Sequence, residues 1–103
     1  MKMLLIGLLL LGLAAPVQGN ELCESIGEAA SAAMKGRQIG LSKSTIEGLM
    51  RDSGLTGQAR EMVQAMIDTA YARPMQKSES VQDMEVRRHR LLWEAACYDS
   101  LAE

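Results

Sequence analysis

Apolar residues recur at intervals of three and four along four stretches of the chain, the spacing of amphipathic helices. Nowhere do apolar and polar residues alternate for long enough to make a strand. The first stretch predicts a helix from about Glu21 to Gln38. Leu22, Ile26, Ala29 and Ala33 mark one stripe, with Cys23, Ala30 and Met34 beside it. Its alanines favour helix and let a neighbour approach closely, while Gly27 weakens it by roughly 1 kcal/mol relative to Ala. Gly36 or Gly40 can end it. Gly40 is the better stop, because Leu41 follows and can fold back as in a Schellman cap.

Ser42 or Ser44 then caps a second helix, and Ser44 with Glu47 has the spacing of a capping box. Ile46, Leu49 and Met50 are expected to form its buried face, and Gly54 to stop it. Thr56 is placed to cap a third helix over Gly57 to Ala72. Its stripe is Ala59, Met62, Val63, Met66, Ile67, Ala70 and Tyr71. Pro74 ends it by excluding helical geometry at Arg73. Ser78 or Ser80 opens a fourth helix, which reaches about Leu101. Here Val81, Met84, Leu91, Leu92, Ala95 and Tyr98 lie on one side, and Val86, Trp93, Cys97 and Leu101 nearly opposite. A helix apolar on two sides is expected to sit between neighbours, its Cys97 face on the first helix and its other face on the second and third.

The start of the chain does not fit this scheme. Met1-Lys2 is followed by a run, Met3 to Ala15, of apolar residues and Gly only. At 1.5 Å per residue the run falls short of a bilayer of roughly 30 Å, and it has the length of a signal-peptide core. Pro16 breaks it, and cleavage is expected after Gly19. The expected organisation is a signal peptide over 1–19 and a single helical domain over 20–103, in the periplasm or secreted, with no membrane anchor after cleavage. Export changes the meaning of the two remaining cysteines, Cys23 and Cys97. An even count in an oxidising compartment predicts a disulfide, and only one pairing exists. The expected fold is thus all-α: a small four-helix domain closed by one disulfide between its first and last helices, which run antiparallel if they lie side by side.

A formal net charge of −2 argues against a dedicated nucleic-acid binder. Phe is absent, and Met34, Met50, Met62, Met66, Met75 and Met84 supply much of the flexible apolar volume. Phosphate loops, zinc spacings and dinucleotide fingerprints are missing, so no catalytic residue and no cofactor is expected. The most distinctive cluster is Arg87-Arg88-His89-Arg90. Consecutive helical residues point in different directions, so these do not make one patch by default. Arg88 falls on the apolar side, where a cation is expected to be paired, snorkelling or at a partner surface, with Glu85 as a local partner. His89, the single histidine, is expected at the surface with no activated nucleophile beside it. Glu21, Glu24 and Glu28 complement the dipole of the first helix.

The early Cys23, the run Met34-Lys35-Gly36-Arg37-Gln38-Ile39-Gly40-Leu41-Ser42, Ala70-Tyr71 ahead of Pro74 and the late Cys97 resemble small exported proteins of Gram-negative bacteria. The resemblance implies a helical periplasmic domain and brings no activity with it. It makes Arg37 and Gln38 candidates for a structural or binding role beside Arg88 and His89. The function expected is non-enzymatic binding of a protein partner, as a chaperone-like, envelope-stress or inhibitor module. The alternative is Cu(I) handling through the thioethers of Met62 and Met66, four apart on one helical face.

Overall fold

The computed structural model describes residues 19–101, and side chains from 21 to 100. The segment read as a signal peptide lies, up to Gln18, outside the described residues. These fold into four helices, α1 (Gly19–Gln38), α2 (Lys43–Asp52), α3 (Gly57–Tyr71) and α4 (Glu79–Leu101), and contain no strand.

Local sequence explains most of the boundaries. Gly40 takes the left-handed conformation, φ 92°, which only a residue without a Cβ adopts at no steric cost. The Leu41 N–H then reaches back to the Gly36 carbonyl at 2.9 Å and the Gly40 N–H to that of Arg37 at 3.2 Å, the two bonds of a Schellman cap. Ser42 is the cap of α2, its hydroxyl accepting from the Thr45 N–H at 3.1 Å. The expected Ser44–Glu47 box does not form: the Glu47 carboxylate accepts instead from the Gln64 amide of α3 at 2.9 Å. Thr56 stands at the N-cap of α3 with extended backbone, but its side chain makes no capping bond. Ser78 caps α4 by accepting from the Val81 N–H.

Helix α1 is the hub. Its longest contact is with α4; a shorter one is with α3, and it also touches α2, which packs on α3. Cys23 meets Cys97, Gly27 lies under Glu94, and Met34 shares a pocket with His89, so α1 and α4 run antiparallel. A Cβ at Gly27 would fall on the Glu94 side chain, which explains a residue that otherwise weakens the helix. The disulfide closes the domain between Cα atoms 5.5 Å apart. The core gathers Ala33 and Met34 from α1, Met50 from α2, and Ile67 and Ala70 from α3, with Ile46, Leu55, Val63, Tyr71 and Val86 packed around it. Cys23, Ala30 and Met66 are also fully buried.

This arrangement corrects one expectation. Helix α4 does not sit between neighbours: it packs through the side that carries Val86, Trp93 and Cys97, and its other face is exposed. The central place belongs to α1, whose buried small residues Ala30 and Ala33 admit helices on more than one side.

Candidate functional site

The last turn of α1 holds the link between α3 and α4. Gln38, almost fully buried, donates from Nε2 to the Pro74 carbonyl at 3.0 Å and accepts the Gln76 N–H on Oε1 at 2.8 Å. Arg37 donates from Nε to the Arg73 carbonyl at 2.8 Å, and its guanidinium lies over the Tyr71 ring, 5.4 Å from its centre. The Tyr71 hydroxyl in turn donates to the Leu41 carbonyl at 2.8 Å. Arg37 and Gln38 thus satisfy backbone groups that a link without regular structure leaves open.

The same link delivers Arg73 to α4. Its Nε and Nη2 grip the two oxygens of Glu85 at 3.0 and 2.8 Å, and Gln76 Nε2 adds a bond of 3.0 Å to the second oxygen. The bonds from Arg73, helped by Gln76, hold the buried Glu85 carboxyl below its ordinary range although burial alone would raise it. The expected partner, Arg88, contributes only a smaller electrostatic effect from farther away. Glu85 therefore pairs with Arg73, and Arg88 stays exposed.

His89 is also placed differently from the expectation. It is only 5% exposed, and its Nε2 lies 3.0 Å from the Met66 carbonyl oxygen of α3. A carbonyl can only accept, so Nε2 carries the proton and donates. Burial pushes the imidazolium below its usual range, against the opposing pull of the Met66 carbonyl and of Glu85. The ring meets Trp93 edge-on, with centroids 6.4 Å apart. His89 stands three residues after Val86 and four before Trp93, so it belongs to the inward stripe, and that spacing was the signal for its burial. Arg88 and His89 come together, with Arg73 and Glu85, around a small pocket of about 120 Å³. Arg37 and Gln38 do not line it.

Met62 and Met66 part company. Met66 is fully buried, whereas half-buried Met62 lines an apolar cleft of about 410 Å³ where the starts of α1 and α3 meet the end of α4. Leu22 and Ile26 of α1, Gln58, Ala59 and Met62 of α3, and Trp93, Ala96, Cys97 and Ser100 of α4 surround it. Its lining includes no side chain that titrates, because Cys97 is bonded to Cys23. Gln58 and Ser100 are its polar side chains. The cleft was not legible as a site, because it forms where three helix ends meet, whereas periodicity reports only the face of one helix at a time. Against protein-family models, curated proteins and solved structures, the chain finds no match.

Proposed function

We propose that the protein is a non-enzymatic binding protein of the periplasm or extracellular space that holds an apolar segment of a partner polypeptide in this cleft. The observation that carries the reading is the cleft itself: an apolar cavity whose walls α1 and α4 are locked together by the disulfide beside it. Its volume, about 410 Å³, falls within the range of roughly 300–1,000 Å³ typical of ligand pockets and takes a few apolar side chains. Met62 adapts its unbranched thioether to differing shapes. Gln58 and Ser100 supply the hydrogen bonds that the backbone of a bound segment requires. The ionisable groups nearest the core are already engaged, Glu85 with Arg73 and His89 with a carbonyl, which favours binding over acid–base chemistry. A disulfide is also the usual mark of an oxidising compartment.

Trp93 is the one tryptophan of the chain and lines the cleft, so it reports occupancy. Titration with a synthetic amphipathic peptide rich in Leu and Ala is expected to shift its emission to the blue and to saturate. Met62→Asp removes apolar contact and adds a charge, and is expected to weaken the dissociation constant by about ten- to a hundredfold. An emission spectrum untouched by the peptide, or equal binding by Met62→Asp, would end the proposal.

A further inference from the structure

His89 is buried, yet one of its ring nitrogens is open to the small pocket of about 120 Å³ between α1, α3 and α4. Nε2 is committed to the Met66 carbonyl. Nδ1 bonds to no group among the described residues, and no buried side-chain nitrogen or oxygen there lacks a partner. Nδ1 therefore reaches solvent, and the pocket that His89 lines is where it does so. The neutral ring points a lone pair into this cavity, a position that a proton can take without disturbing the bond to Met66.

The other walls decide what accompanies that proton. Glu85 is neutralised by Arg73 and Gln76, which occupy both its oxygens. Arg88, at the exposed rim, forms no ion pair among the described residues, so its charge is left over. Thr69 gives its hydroxyl proton to the carbonyls of Ala65 and Met66 and offers no donor. Met34 and Leu92 complete the lining with apolar surface. Helices α1 and α3 bring only Met34 and Thr69, so Arg73, Glu85 and Arg88 are the charged groups that face His89 across the pocket.

We propose that this pocket binds a short-chain monocarboxylate, its carboxylate held between Arg88 and a His89 that takes up one proton at Nδ1. The alkyl part lies against Met34 and Leu92. A guanidinium suits a carboxylate because its paired N–H groups match the two oxygens. The apolar walls tell against phosphate or sulfate, whose further oxygens would be buried without donors. The volume equals that of about four liquid waters, which limits the occupant to roughly four to six non-hydrogen atoms, the range from acetate to butyrate. The proton comes from solvent, and no bond of the acid changes. Above about pH 6 the free acid is ionised, whereas burial keeps the imidazole of the empty site neutral. A lone pair on Nδ1 repels the carboxylate and an N–H holds it, so binding and protonation are linked. By mass action the observed dissociation constant rises about tenfold per pH unit above the pKa of the empty site. The site fills as its surroundings acidify. It shares no lining residue with the cleft proposed for a polypeptide, so the two readings stand or fall separately.

His89 is the one histidine of the chain, so its ring-proton resonance reports directly on the site. The oxidised protein is titrated from about pH 5 to about 8.5 in sodium propionate and, separately, in sodium chloride of the same ionic strength. Propionate is expected to bind with a dissociation constant on the order of 1 mM at pH 6.5, within reach of so small a ligand. Binding is expected to weaken close to tenfold by about pH 7.5. At ten times that constant the His89 midpoint is expected to rise by about one pH unit. Arg88→Gln, at an exposed position, is expected to weaken binding about tenfold, and Arg88→Lys to keep most of it. Inorganic phosphate is expected to move His89 no more than chloride does. A midpoint that propionate leaves where chloride leaves it, or an equal response in Arg88→Gln, overturns the proposal. An equal response to phosphate overturns the assignment to monocarboxylates.

Discussion

Replacing Cys23 and Cys97 by alanine is expected to cost the domain roughly 4 kcal/mol of stability. The two residues stand 74 positions apart, so the bridge closes a long loop in the unfolded chain and lowers its entropy by the corresponding amount. It also joins the start of the hub helix to the end of the helix that packs longest against it. A domain of this size has a net stability of about 5–10 kcal/mol, so the loss takes a large share of it. Chemical denaturation of the oxidised protein beside the double variant measures the difference. Coincident midpoints would show that the bridge decorates a fold that does not depend on it.

Ile67→Ala should come next in size. Ile67 is 1% exposed on α3 and sits among Ala33 and Met34 of α1 and Met50 of α2, with Val86 of α4 close by. Side chains from several helices cannot all collapse into the space it leaves, so a loss of roughly 2–5 kcal/mol is expected. The midpoint in denaturant should fall while the slope of the transition stays constant. A loss below about 1 kcal/mol would mean that the site is far less tightly packed than its burial indicates.

Features set by near neighbours in the chain were legible from residues alone. The stop at Gly40 and the inward positions Met66, Ile67 and Ala70 of α3 follow from local chemistry, although Ala59 at the start of that stripe is exposed, and the bridge from Cys23 to Cys97 follows from a count of two cysteines. Ser42 and Ser44 could not be separated in that way, because both stand at the start of the same helix; Ser42 takes the Thr45 N–H, and Glu47 turns to Gln64 of α3. The place of α4 departs from expectation for a different reason. Two apolar faces on one helix say that both can be buried, not that this chain buries both; the closeness permitted by Ala30 and Ala33 placed α1 at the centre instead. Residue type alone puts His89 at the surface, whereas its spacing from Val86 and Trp93 puts it inside, where it lies. The grip of Arg73 on Glu85 reaches from a link into a helix, so no helical period announces it.

The hub position of α1 and the exposed outer side of α4 both follow from α4 packing through a single face. Leu91→Ser tests that directly, with unfolding followed at concentrations where sedimentation gives a monomer. An exposed residue away from special features changes stability by no more than about 0.5 kcal/mol, and that is the result expected. A loss of roughly 2–5 kcal/mol, the size expected for Ile67→Ala, would place Leu91 inside the domain and contradict the arrangement.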